Sequence, residues 1–196
     1  MSWVALERGA RLAPLFGDTD FASQWAEHAY DVRQDVLANG LDSTKRHFVG
    51  SYGGKTVDAG LLLLPILRFI APNDPRCIAT IDEIRERLGS GPFLHRYKEH
   101  DGLQGREGAF VLCGFWLAEA LATAGRIEEA QEIFGAHAEA SNHLGLLAEE
   151  IDPDSGLQLG NFPQAFSHLG LINAAIAIDR ALRMRDEGPA MRRGDP

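Results

Sequence analysis

The stretch EGAFVLCGFWLAEALATAGRIEEAQEIFGAHAEAS, residues 107–141, decides the fold class of this chain. Its pattern predicts one helix over about 107–123 and another over about 127–141, joined by the turn Ala124-Gly125-Arg126. A connection that short leaves its two helices side by side and antiparallel. The first is apolar nearly all round between 108 and 122, as expected of a helix walled in on several sides by others.

The helical period continues on either side of this hairpin. Phe21, Trp25, Ala29, Val32, Val36 and Leu37 recur at three- and four-residue steps, which puts an apolar stripe on a helix over about 18–41. Asp18 or Thr19 can cap its start and Asn39-Gly40 can end it. Further helices are predicted over 56–69, stopped by Pro72, over 75–88, stopped by Gly89-Ser90-Gly91-Pro92, and over 163–182. Residues 2–12 read as the tail of another helix. No alternation of apolar and polar residues is long enough to build a sheet, so the class is all-α, with six to seven helices paired as antiparallel hairpins.

The segments 57–69 and 108–122 ask for more cover than half a dozen helices supply. This predicts missing neighbours, from an upstream segment of the same polypeptide or from a partner. Residues 1–182 form the folded part, and the charged, Gly- and Pro-containing tail 183–196 is expected to be disordered.

Composition narrows the partners. A chain of 196 residues with 45% hydrophobic content can bury one domain's core. Nineteen basic against 28 acidic side chains give a net charge of -9, which repels nucleic acid and anionic lipid but leaves neutral ligands such as sugars open. Cys77 and Cys113 are far apart and lack metal-ligand spacing, so buried thiols are expected, with neither a disulfide framework nor a metal or other cofactor. The apolar run Leu61–Leu64 is cut short by Pro65 and Arg68, and no export signal is readable, which places the chain in the cytoplasm and off the membrane.

Four loop motifs carry chemical possibilities. Glu149 and Glu150 lie between an apolar run and a turn built on Pro153, Asp154, Ser155 and Gly156. In an extended segment their side chains point to opposite sides, so one can enter a cavity while the other stays wet. On residue type alone, a solvated acidic turn is the commoner reading. In Phe93-Leu94-His95-Arg96-Tyr97-Lys98-Glu99-His100-Asp101-Gly102, rings alternate with cations, which suits stacking and hydrogen bonding to a hydroxyl-rich ring, though an ordinary surface loop accounts for it equally well. Its His95, His100 and Asp101 do not have zinc-protease spacing. Gly53-Gly54-Lys55-Thr56 resembles the end of a phosphate-binding loop, but Val49 stands where the first glycine is needed and no strand precedes it, so a tight turn is the better reading. Gly160-Asn161-Phe162-Pro163-Gln164-Ala165-Phe166-Ser167-His168 starts a helix with Pro at its first position. His168, flanked by Phe166 and Leu169, reads more readily as a satisfied core residue than as a catalytic one.

Taken in order, several segments resemble glycoside hydrolase family 15, the glucoamylases, glucodextranases and bacterial trehalases. They are Met1-Ser2-Trp3-Val4-Ala5-Leu6-Glu7-Arg8, Asp58-Ala59-Gly60 through Pro65, Arg96-Tyr97, Glu107-Gly108-Ala109-Phe110 through Cys113 and Trp116, Leu147-Ala148-Glu149-Glu150, and the Gly160 to His168 motif. The resemblance runs from Met1 to about Ala181 and implies the C-terminal half of an (α/α)6 barrel, a toroid of six helical hairpins left incomplete here. It further implies inverting hydrolysis of an α-glucosidic oligosaccharide or trehalose. In such chemistry one carboxylic acid protonates the leaving oxygen and a carboxylate roughly 6.5–9.5 Å away activates water.

Within that resemblance Glu149 matches the general base, Arg96 an arginine that binds hydroxyls of the terminal glucose, Tyr97 its flank, and Glu107 a pocket residue. A base must stay ionised, so hydrogen-bond donors are expected around Glu149. The family's general acid lies in a Trp-Glu segment before the helix in which this chain begins, and Met1 matches a methionine internal to family members. The chain is therefore expected to be inactive alone, either as a split subunit completed by an upstream-encoded N-terminal half or as the product of a truncated gene. Gly60 and Glu7 depart from the serine and aspartate common in the family. A non-catalytic carbohydrate-binding or scaffold remnant is the alternative, and a helical repeat protein is disfavoured because no fixed repeat period appears.

Overall fold

The computed structural model describes residues 1–98 and 107–187. Helix α1 (Ser2–Leu12) turns through a short 3-10 segment, Ala13–Phe16, into α2 (Thr19–Asn39), and the two pack as an antiparallel hairpin. Asp18 stands at the N-cap of α2 without a side-chain cap bond, and Gly40 closes the helix by donating to the Val36 carbonyl at 2.8 Å. The hairpin is seated on the rest of the chain through Phe69. Trp3 meets that ring edge-on at 5.2 Å, and the Arg33 guanidinium lies 5.8 Å from it.

The helix expected over 56–69 is not continuous. Its place is taken by a 3-10 turn, Ala59–Leu62, and a single helical turn, α3 (Leu63–Ile66). Asp58 is extended and accepts from the Gly60 N–H at 2.6 Å, Pro65 has no N–H to give to the ladder, and Arg68 turns the chain with φ of 63°. The apolar residues still do their work. Val57, Ala59, Leu62, Phe69 and Ile70 are all buried in the core.

Helix α4 (Pro75–Leu88) matches its predicted bounds, with Asp74 capping the Arg76 N–H and Pro75 at the first position. A two-residue hairpin follows, β1 (Gly89–Ser90) with β2 (Phe93–Leu94). The predicted helix pair appears as α5 (Val111–Thr123) and α6 (Ile127–Glu139), and the last helix is α7 (Ala165–Asp186). Several bounds differ from expectation: α5 starts at Val111 and not at 107, because Ala109 and Phe110 are extended and paired, and α6 ends at Glu139 and not at 141. Pro163 lies ahead of α7 in a cis Phe162-Pro163 peptide, with Gln164 at the N-cap, and α7 continues to Asp186, past residue 182 and into the expected tail. The remainder of that tail, from residue 188, lies outside the described residues, as do residues 99–106 with His100, Asp101 and the second half of the aromatic and cationic loop.

The structure also contains a sheet that periodicity did not predict. Strands β3 (Ala109–Phe110), β4 (Glu150–Ile151) and β5 (Gln158–Leu159) pair antiparallel in that order, with Phe110 opposite Glu150 and Glu150 opposite Leu159. Two residues per strand are too few to show an alternation, so such strands are invisible to pattern reading.

The core runs along α5, where nine of 13 residues are buried by α7, α6, α3 and α4. The expectation that this helix lacks neighbours is therefore corrected, because the described helices cover it. Gly114 is what lets α6 come so close, since a Cβ there would collide with the buried ring of His137. Cys77 and Cys113 are buried free thiols, and burial pushes Cys113 up to about 12, so neither is reactive. The uncovered apolar surface lies elsewhere. It includes Leu12, Leu15, Phe16 and Phe21 on the α1/α2 hairpin and Phe166, Leu169, Ile172 and Ile176 on α7.

Candidate active site

The Glu149 segment is fixed by the start of α7. Leu147 and Ala148 are buried, and almost every backbone polar group from 147 to 149 has a partner. Leu147 donates to the Nε2 of His168 at 3.4 Å and accepts from the Gln164 N–H at 2.9 Å. The Ala148 carbonyl accepts from the buried Ser167 hydroxyl at 2.7 Å. Glu149 donates its N–H to the Asn161 carbonyl at 2.9 Å and accepts from the Val111 N–H at 3.0 Å. His168 places its Nδ1 2.8 Å from the Gln164 carbonyl, so both ring nitrogens are engaged in holding this segment. The Gly160 to His168 motif is thus the clamp of the Leu147-Ala148-Glu149 segment.

Glu149 and Glu150 turn to different partners, as side chains of adjacent extended residues must. The Oε2 of Glu149 accepts two hydrogen bonds from Asn161, from the backbone N–H at 3.0 Å and from Nδ2 at 2.8 Å. Glu150 reaches the other way, to the Gly108 N–H at 2.9 Å. Neither stays fully wet, since both are half-buried. The Glu150 carboxyl is raised above the usual carboxylate range, chiefly by burial, with the negative charges of Glu107 and Glu149 acting in the same direction against the Gly108 hydrogen bond.

The aromatic and cationic loop comes alongside through the sheet. Strand β2 packs beside β3, whose Phe110 pairs with Glu150, so the 95–98 segment, the 107–110 segment and the two glutamates are successive neighbours. The Arg96 carbonyl accepts from the Ala59 N–H at 2.9 Å, which ties this loop to the broken segment at Asp58. The Arg96 side chain is exposed, with its guanidinium 6.0 Å from the Tyr97 ring, and forms no ion pair with Glu107, Glu149 or Glu150 among the described residues. Asp58 and Arg96 act on the buried Cys113 thiol in opposite directions, Asp58 raising it and Arg96 lowering it.

Glu107 is exposed and is felt by both Glu150 and His95. Burial lowers the His95 imidazole, aided by Lys98 and opposed by its bond to Gly108 and by Glu107. None of the four residues singled out from sequence lies in a strand; each sits in a segment next to one, Arg96 and Tyr97 after β2, Glu107 before β3 and Glu149 before β4. Two further participants had been read as part of the Gly160 to His168 motif but given no role at the site: Asn161, which holds the Glu149 carboxylate, and Gly160 beside it. Their signal was a Gly-Asn pair just before the aromatic and proline that lead into a helix. Among the described residues no cluster of three His, Cys, Asp or Glu side chains could hold a metal, and no helix is long and apolar enough to cross a membrane.

Comparison with known proteins gives the arrangement its context. A trehalase of Mycobacterium tuberculosis is 44% identical over 184 residues, covering 92% of this chain and 27% of its own length. A trehalase of Thermoplasma volcanium is 42% identical over 186 residues, covering 94% and 30%. The chain thus spans less than a third of the length of the curated relatives it matches. Among solved structures, a wild-type glycosidase superposes over 90% of this chain and 49% of its own, with a TM-score of 0.74 at 22% identity. A bacterial glucoamylase complexed with acarbose superposes over 94% and 34%, with a TM-score of 0.76 at 18% identity. At such identities the likeness concerns the fold, which is that of an incomplete (α/α)6 barrel. The model of the glycosyl hydrolases family 15 matches residues 1–176, nearly the whole described chain, and the chain belongs to that family.

Proposed function

We propose that the chain is the C-terminal part of an inverting α-glucosidic hydrolase in which Glu149 is the general base. The reading is supported chiefly by one observation: a carboxylate with two donors on a single oxygen, carried by a segment whose backbone is bonded on both sides. Two donors on one oxygen hold the carboxylate in a fixed orientation, which is what a group that must meet a water molecule needs. Arg96, Tyr97 and Glu107, on the adjoining loops, bind the terminal glucose. Its substrate is trehalose in preference to starch-type oligosaccharides, because the relatives at 42–44% identity are named trehalases.

The family's Trp-Glu segment has no counterpart in these 196 residues, so the general acid comes from outside them, from an upstream-encoded N-terminal half. That half would also cover the exposed apolar side chains of α1, α2 and α7. The chain alone binds weakly and does not turn over, because a missing acid costs roughly 10²–10⁴ in rate and a missing wall removes orientation as well.

The test is hydrolysis of trehalose and of maltooligosaccharides by the purified chain, alone and combined with the upstream-encoded half. Turnover is expected only in the combination, with trehalose preferred, and Glu149→Gln should lower kcat by roughly 10²-fold or more. Full activity of the Glu149→Gln combination would overturn the base assignment. Glucose-type binding without any hydrolysis would identify a non-catalytic sugar-binding scaffold instead.

A further inference from the structure

We infer that Asn161 is a positioning residue that selects which oxygen of Glu149 is presented to water. The inference rests on the assignment of Glu149 as base. Residues 149 and 161 are joined three times: the Glu149 N–H to the Asn161 carbonyl at 2.9 Å, the Asn161 N–H to Oε2 at 3.0 Å, and the Asn161 Nδ2 to the same oxygen at 2.8 Å. Both side-chain bonds end on one oxygen. Among the described residues Oε1 accepts none, so the carboxylate is held by Oε2 with its second oxygen left for a water molecule. A carboxylate on a freely turning side chain would spend much of its time with neither oxygen aimed. Fixing one oxygen removes that freedom before substrate arrives, which is how orientation enters a rate.

Gly160 is part of the same device. Its φ is 72°, and a Cβ there would lie 2.9 Å from the Glu149 Oε2 and 3.0 Å from its Cβ, closer than packed side chains come. Only a residue without a side chain at 160 leaves room for the Glu149 carboxylate beside Asn161. Replacement of Gly160 should therefore act on Glu149 while leaving the Asn161 amide itself in place.

The clamp can be tested in the chain alone, with no dependence on activity. Backbone amide exchange at Asn161 should be at least about tenfold slower in the wild-type chain than in Glu149→Ala, because the acceptor of that N–H is the removed carboxylate. Gly160→Ala should lose the same protection. Equal exchange at Asn161 in wild type and Glu149→Ala would overturn the clamp.

Its catalytic consequence is read in the combination with the upstream-encoded half. Asn161→Ala, which keeps the backbone donor, should lower kcat roughly tenfold. Asn161→Asp, the same shape with the donor replaced by a like charge, should lower it roughly a hundredfold. KM should stay within about twofold in both, because a carboxylate that activates water is not asked to bind sugar. A kcat for Asn161→Asp within twofold of wild type, or a loss confined to KM, would overturn the positioning role. Unimpaired hydrolysis by Glu149→Gln would remove the base assignment itself, while the exchange result would still decide the clamp.

Discussion

Helices α5 and α7 lie against one another along their length, yet they meet their surroundings in opposite ways. On α5 nine of 13 residues are buried and the exposed positions are few, whereas on the 22-residue α7 only Ser167, Gly170, Ala174 and Ile178 are buried. Those four recur at three- and four-residue steps and form the stripe facing α5. On the other side Phe166, Leu169, Ile172 and Ile176 are exposed, and each would be at home in a core. An all-apolar helix is thus satisfied within this chain, while a helix of mixed composition carries the unsatisfied face. Overall apolarity reports how many neighbours a helix has, but the location of a missing neighbour shows only in what remains uncovered.

The largest effect that tests this contrast is at Phe115, fully buried on α5 against Phe134 at 5.8 Å and His137 at 5.5 Å. Phe115→Ala should cost about 3–5 kcal/mol, read as a fall in the midpoint of urea unfolding of the chain alone. A cost near zero would mean that the core along α5 is not formed without further chain.

Acid provides a somewhat smaller test of the same core, where α6 meets α5. His137 is buried with its Nδ1 against the Ile133 carbonyl and its Nε2 without a partner, and burial lowers its imidazole to about 4. The folded chain thus binds fewer protons than the unfolded chain between the ordinary histidine value of 6.5 and about 4. Stability is fully present above that window and falls as pH drops through it, by on the order of 3 kcal/mol in total. His95 acts in the same direction and Glu150, raised, in the opposite one. Unfolding free energies measured from pH 7 to pH 4 should show this slope, and His137→Gln should flatten most of it.

The smallest expected effect sharpens the contrast from the other side. Leu169→Ser with Ile172→Ser on the outward face of α7 should change the stability of the chain alone by no more than about 0.5 kcal/mol per site, since little is buried there to lose. A cost approaching that of Phe115→Ala would show that this face is already covered. In the presence of the upstream-encoded half, the same pair should weaken association measured by calorimetry.

Parts of the fold were legible in sequence because they depend on near neighbours. The three-residue turn at 124–126 and the apolar density of 108–122 place α5 and α6, and the Asp74-Pro75 start and Gly89 stop bound α4 within a residue. The segment 56–69 misled for the same reason. Its apolar run has the density of a helix, but Asp58 and Pro65 redirect the hydrogen bonds and the Ala59 N–H is taken by Arg96, 37 positions away. The acidic pair at 149–150 was legible as a motif. That both carboxylates are held, one by Asn161 and one by Gly108, was not, because each partner arrives from another segment, 12 and 42 positions away.

By itself the sequence determined the all-α class, the helical hairpins and the family segments, all of which are written in periods and short motifs that a chain carries locally. Only the tertiary structure decided which oxygen of Glu149 is held, which strands form around it, and which helical faces stay bare. Those depend on contacts between segments that meet only when the chain is folded, whose geometry no local pattern encodes.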